Sequence, residues 1–170
     1  MFVLGIDPGL TRCGFGLVEG SLDQLESFGA RRAGLVETDK ARPVEERLRI
    51  LSDELGALMD EVRPDVVVVE RVFYQRNART AISVAQASGV AIALAGAQGA
   101  TVRQYTAQEV KLAVTGYGAA GKAQVQAMVA RLCGLAEPPR PPDVADALAL
   151  AITYLVTERT QRRLAAATPR

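Results

Sequence analysis

Four carboxylates stand where this sequence could do chemistry. Asp7 closes the apolar run Phe2-Val3-Leu4-Gly5-Ile6, Glu70 closes Val66-Val67-Val68-Val69, and Asp143 and Asp146 open the apolar stretch that continues through Ala147, Leu148, Leu150 and Ile152. An acid that ends a buried run is anomalous. Gathering several is unfavourable, because like charges about 4 Å apart repel by roughly 4 kcal/mol at an effective dielectric near 20. Bound divalent cations remove that penalty. A donor set made only of oxygens favours Mg²⁺ or Mn²⁺ over zinc or copper, and two such ions can stabilise both the attacking and the leaving oxygen of an in-line phosphoryl displacement. The chemistry this points to is metal-dependent hydrolysis of a phosphodiester, that of a nuclease.

The composition narrows the alternatives. The chain has no histidine, which excludes a serine-hydrolase triad, a histidine-ligated zinc and a histidine general base. Cys13 and Cys133 lack metal-ligand spacing and read as small buried residues in a reducing compartment. A net charge of +1 gives no global basic field, so contact with nucleic acid would have to come from a local patch. The 170 residues, 49% hydrophobic and 23% charged, suit one soluble domain with a single large core. We expect that domain over residues 1–156, followed by a basic, flexible tail over 157–170. No basic flank and apolar core of a signal peptide, and no run of the ~20 apolar residues needed to span a bilayer, is visible, so a cytoplasmic protein without membrane contact is expected.

The acids must be positioned by the elements around them. Residues 2–7 and 13–18 read as strands joined by Pro8-Gly9-Leu10-Thr11-Arg12, and residues 24–36 supply a third, partly alternating strand. Pro43 begins a helix whose apolar face is Val44, Leu48, Leu51, Leu55, Leu58 and Val62. The four valines before Glu70 are short, β-branched and bounded by turn residues, as in a strand buried on both faces. Residues 77–99 are helical, alanine-rich and apolar nearly all round, which predicts one face on the sheet and the other on a second subunit. Residues 101–105 form a further strand, Thr106 and Glu109 have the spacing of a capping box, and Gly116-Tyr117-Gly118 stops the helix they open. Residues 122–135 are helical, 138–142 a rigid connector, and the last helix is expected from about 143 into the 150s, with a frayed tail from Arg159 that carries Arg162, Arg163 and Arg170.

Each motif also has a bland explanation. Gly5-Ile6-Asp7-Pro8-Gly9 can be a strand ending in a turn, or glycines that admit a ligand's backbone. Its likeness to the phosphate loop of the actin and sugar-kinase ATPases is set aside, because those proteins need two lobes. Asp143 and Asp146 share a helical face and could simply favour the helix dipole. Capping does not explain why Asp146 lies inside an apolar run. The segment from Gly116 to Lys122 nearly matches a nucleotide phosphate loop, but Ala123 lacks the hydroxyl for Mg²⁺ and a helix, not a strand, precedes it. Lysine is scarce, at three residues against seventeen arginines, and Lys111 and Lys122 both precede the last acidic pair. They either contact a scissile phosphate or DNA strand, or form a solvated helix face. After Glu70, Phe73 and Tyr74 lie among Arg71, Arg76 and Arg79, which fits base stacking with phosphate contact in an opened nucleic acid. A loop with Phe73 packed inward is the plainer reading.

Taken together, Gly5-Ile6-Asp7-Pro8-Gly9, Glu70-x-x-Phe73 with Asn77-Ala78, Val110-Lys111, Gly121-Lys122-Ala123-Gln124-Val125 and Asp143-x-x-Asp146-Ala147-Leu148-Ala149 closely resemble the RuvC family of bacterial Holliday junction resolvases, over residues 1 to about 156. The resemblance implies an α/β, ribonuclease H-like fold, with a mixed five-stranded sheet flanked by helices, and a homodimer with one site per subunit. It makes Asp7, Glu70, Asp143 and Asp146 the metal-binding catalytic acids, with Mg²⁺ as the metal, Mn²⁺ as a substitute and two ions per subunit. Lys111 and Lys122 match lysines that contact DNA near the cut, and Phe73 an aromatic that opens or stacks at the junction. Tyr74, Arg76 and Arg79 are added as DNA contacts from charge and position alone. The implied substrate is a four-way DNA junction cut by paired nicks in recombination and repair, and the implied partners are branch-migration proteins of the RuvA and RuvB type. Two other classes stay open: a ribonuclease H-like enzyme acting on RNA or other branched DNA, and a junction-binding scaffold without catalysis.

Overall fold

The computed structural model describes residues 1–23, 28–71 and 78–167, without the side chains of residues 78–80. Its apolar, β-branched runs form β1 (Phe2–Asp7), β2 (Arg12–Glu19), β3 (Gly29–Glu37), β4 (Val66–Glu70) and β5 (Thr101–Tyr105), in the order β3-β2-β1-β4-β5. The first three pair antiparallel, and β1 pairs parallel with β4 and β4 with β5. The expected mixed five-stranded sheet is therefore present. Of the third strand expected over 24–36, residues 24–27 lie outside the described residues, and β3 itself continues to Glu37.

Side chains alternate across a strand, so β1 and β4 feed two cores. Leu4, Ile6, Val67 and Val69 join Leu51, Leu55, Leu58 and Met59 of α1 (Val44–Val62) and Ala87, Ala91 and Ala95 of α2 (Ala78–Ala97). Val3, Val66 and Val68 join α3 (Ala107–Thr115), α4 (Lys122–Leu132) and α5 (Pro142–Ala167) on the other face. Each fully buried leucine or isoleucine in these cores contributes about 1.5–3 kcal/mol of transfer free energy. Of the α1 stripe, Leu51, Leu55 and Leu58 are buried and Leu48 and Val62 partly so, while Val44, at the first turn, is exposed. α1 stops at Arg63, whose left-handed φ of 44° is followed by Pro64. The capping box that opens α3 is complete: Glu109 N–H donates to Thr106 Oγ1 at 3.1 Å and Thr106 N–H to Glu109 Oε2 at 2.7 Å.

α5 differs most from expectation. It is one helix of 26 residues that continues to Ala167 rather than ending in the 150s. Its distal half is tied down by arginines, as Arg159 donates to the Ser21 carbonyl and lies 5.1 Å from the Phe28 ring centroid, while Arg162 pairs with Asp23 at 3.4 Å. The proximal half, from Val144 to Leu155, is buried at every position except Asp146, which is partly open.

This half of α5 lies directly on the backbone of β1 and β2. A Cβ on Gly5 would overlap the Ala147 carbonyl oxygen and come within 2.9 Å of Ala151 N; on Gly16 it would meet the Leu148 side chain, and on Gly14 the Asp143 carbonyl. The close approach that Gly5 permits is thus made by the chain's own helix, not by a ligand. Gly5→Ala should cost about 3 kcal/mol or more, at the upper end for overpacking, because backbone must move to admit the methyl. Gly56→Ala in α1, where the new methyl meets only Leu94 Cδ2 at 3.8 Å, should stabilise by about 0.5–1 kcal/mol. Urea unfolding of the two variants checks this pair of opposite signs.

Candidate active site

The acids converge because of strand register. In the parallel β1–β4 pair Ile6 lies opposite Val69, so the next residues, Asp7 and Glu70, leave the sheet side by side at the same end. Both share the parity of Val3 and Val68 and therefore face α5. Open α/β sheets hold ligands outside the carboxyl ends of their strands, and those of β1 and β4 stand side by side here. Across this end runs the start of α5, whose Asp143 and Asp146 lie one turn apart on one side of the helix.

An open pocket of about 240 Å³ forms there, lined by Asp7, Glu70, Asp146, Lys111 and Lys122 over a floor of Ala107, Val110, Val125 and Leu150. Lys122, the first residue of α4, places Nζ 3.0 Å from Asp146 Oδ2. The adjoining turn is closed by Gly121 N–H donating to Gln124 Oε1 at 2.8 Å. Lys111 is held in α3, where its carbonyl accepts from Thr115 Oγ1 at 2.8 Å. Asp143 pairs instead with Arg12, whose Nη2 lies 3.1 Å from Asp143 Oδ2.

Burial and crowding show in the protonation of these groups. Burial, then the carboxylates of Glu70, Asp146 and Asp143, push the Asp7 carboxyl up from 3.8 to about 7. Burial and then Asp146 raise Glu70 as well. The hydrogen bond to Asp146 holds the Lys122 ammonium above its usual range. An all-carboxylate donor set that resists ionisation suits a hard divalent cation. Among the described residues no three acidic or cysteine side chains stand at the spacing that would enclose an ion. Lys122 engages Asp146, and Arg12 engages Asp143.

Of the residues singled out in the sequence, the structure thus brings together Asp7, Glu70, Asp146, Lys111 and Lys122, with Asp143 beside them. Phe73, Tyr74 and Arg76 lie outside the described residues, and Arg79 is in the first turn of α2 with its side chain outside them. The near-match to a nucleotide phosphate loop is a helix end at Gly116, φ 76°, and a helix start at Lys122. Arg12 was missed; its position just after the Asp7 turn was the only hint.

The model of the family described as crossover junction endodeoxyribonuclease RuvC matches residues 3–154. The chain belongs to the RuvC family. A relative of the same description from Salinispora arenicola is 55% identical over 171 residues, covering 100% of this chain and 96% of its own. Thermus thermophilus RuvC, solved in complex with Holliday junction substrate, superposes with a TM-score of 0.87 at 35% identity, over 95% of this chain and 96% of that one. The yeast mitochondrial Holliday junction resolvase, at TM-score 0.65 and 17% identity over 95% of this chain and 83% of its own, shares the ribonuclease H-like fold.

The Asp7 proton is bound more tightly by the folded RuvC-family chain than by the unfolded one. Its contribution to stability is therefore full below about pH 4 and lost as pH rises through about 7. In EDTA, the Tm of the wild type should fall between about pH 4 and pH 8, and Asp7→Asn should flatten part of that fall. Thermal melts across this range test it; a Tm that rises with pH in the wild type and not in the variant would contradict it.

Proposed function

We infer that this chain is a structure-selective endonuclease that resolves four-way DNA junctions by paired, metal-dependent nicks in homologous recombination and DNA repair. The observation that carries the reading is the meeting of Asp7, Glu70 and Asp146 in a pocket walled by Lys111 and Lys122. Acids that can hold cations and lysines that can meet phosphate share one surface. Asp7, Glu70, Asp143 and Asp146 are the proposed ligands of Mg²⁺, with Mn²⁺ as a substitute and two ions per subunit. Ions held there would supply Lewis-acid stabilisation to the attacking and departing oxygens of an in-line displacement.

The chain's own groups do the rest. Lys122, a compact point charge 3.0 Å from Asp146, is placed to meet an anion entering the pocket, and Lys111 stands beside it. The apolar floor of Val110, Val125 and Leu150 keeps water from part of the site and strengthens each charge interaction. Phe73 and Tyr74 are proposed to stack on bases at the opened junction, with Arg76 and Arg79 on phosphates.

Paired nicks need two sites related by symmetry, which a two-fold dimer provides on a two-fold-like junction. The outer face of α2 fits that role. Ile82, Ala85, Gly89 and Ala93 are exposed, and residues 80–102 contain no charged side chain. An uncharged, small-residue face admits a close-packed second copy. Branch-migration proteins of the RuvA and RuvB type are the proposed partners, and the cytoplasm the proposed location; among the described residues no helix is long and apolar enough to cross a membrane.

Asp7→Asn, Glu70→Gln and Asp146→Asn should each abolish cleavage of a synthetic junction in Mg²⁺ while leaving junction binding intact, since each removes charge that repels phosphate. Asp143→Asn should be severe but leave a trace. Wild-type turnover by Asp7→Asn would sink the assignment. For the dimer, Gly89→Arg adds a charge on the outer face of α2, where a Cβ meets nothing within 4 Å in the chain itself. It should give a folded monomer by sedimentation that makes unpaired nicks; an unchanged dimer would place the interface elsewhere.

A further inference from the structure

We propose that Arg12 is a positioning residue for cleavage, setting the orientation of the Asp143 carboxylate through an ion pair. The proposal rests on the reading of Asp143 as a site acid. Arg12 opens β2, directly after the turn that leaves Asp7. Its Nη2 lies 3.1 Å from Asp143 Oδ2, and its Nε 3.6 Å from Oε1 of Glu37, its cross-strand neighbour on β3.

The turn that carries Arg12 is held from outside the site. Thr38 N–H donates to the Thr11 carbonyl at 3.0 Å, and Thr38 Oγ1 donates to the Leu10 carbonyl. Arg47 of α1 donates from Nη2 to Thr11 Oγ1 at 2.7 Å and from Nε to Thr38 Oγ1 at 2.9 Å. The guanidinium therefore projects from a braced support. The backbone of Asp143 packs closely on Gly14, where a Cβ would come within 2.3 Å of the Asp143 carbonyl oxygen. The ion pair to Oδ2 restrains the side-chain torsions of Asp143. Ligating carboxylates are commonly oriented by such an outer partner.

Arg12 differs from the lysines. Its charge is shared between two carboxylates, so little remains to attract phosphate, whereas Lys122 has one acidic partner at 3.0 Å and is 61% exposed at its side chain. Arg12 thus acts through Asp143, and not on DNA.

Single-turnover cleavage of a synthetic four-way junction, junction binding in EDTA over a range of salt, and thermal melting separate the possibilities for Arg12→Ala and Arg12→Lys. Arg12→Ala should slow cleavage by about 10- to 100-fold, as loss of an outer partner of a ligating group does, with junction affinity, its salt slope and Tm unchanged. Arg12→Lys, which can still reach one oxygen and keeps the fold even if the alanine variant does not, should recover part of the rate. Adding Arg12→Ala to Asp143→Asn should cost nothing further. A loss expressed as weaker binding, with a log–log salt slope lowered by about 0.9, would make Arg12 a phosphate contact and overturn the proposal. So would a further slowing of the Asp143→Asn variant by the same factor. Undiminished cleavage by Asp143→Asn alone would instead overturn the underlying reading of Asp143.

Discussion

The approach of α5 to the backbone of β1 and β2 is the constraint on which the site depends. Asp7 and Glu70 arrive together by strand register, but they are joined to Asp146 and Asp143 only because the helix can come down onto Gly5, Gly14 and Gly16. A side chain at any of these positions would lift or shift α5 and carry both of its acids with it. The same contact accounts for the small residues of α5: Ala145, Ala147, Ala149 and Ala151 are all fully buried. Helix and sheet meet through atoms near their backbones, and a site built on two such elements is held more firmly than one on loops.

The electrostatics of the site work against this packing. Burial and neighbouring carboxylates raise Asp7 to about 7, and Glu70 rises for the same reasons. Lys122 pairs with Asp146 and Arg12 with Asp143, through side chains that are 31–61% exposed. Pairs so open to solvent contribute only about 0–1 kcal/mol. The chain therefore keeps a cluster of charge that does not stabilise its fold. Asp7, Glu70 and Asp146 are nevertheless gathered in one pocket, and burial in the two apolar cores offsets the cost of crowding them.

Much of this was legible in the sequence where local rules decide. The period of α1, the four valines before Glu70 and the Thr106–Glu109 cap each determine their own structure, and each stands where expected. Asp146 was marked by its place in an apolar run, and it is the partly open position in the buried half of α5. What could not be read depends on distant partners. The length of α5 past the 150s rests on Arg159 and Arg162 meeting residues near Ser21, far away in the chain. The use of Gly5 as a seat for Ala147, and the pairing of Arg12 with Asp143, are likewise meetings of segments more than a hundred residues apart. No periodicity encodes them.

If the acids at this end of the sheet cut junctions, they should do so with a divalent cation. The direct measurement is cleavage of a synthetic mobile four-way junction, beside a linear duplex of the same sequence, with Mg²⁺ and with EDTA. Symmetric nicks on two strands of like polarity are expected in the junction with Mg²⁺, with none in EDTA and none in the duplex. Cutting that persists in EDTA, or that treats duplex and junction alike, would contradict that expectation.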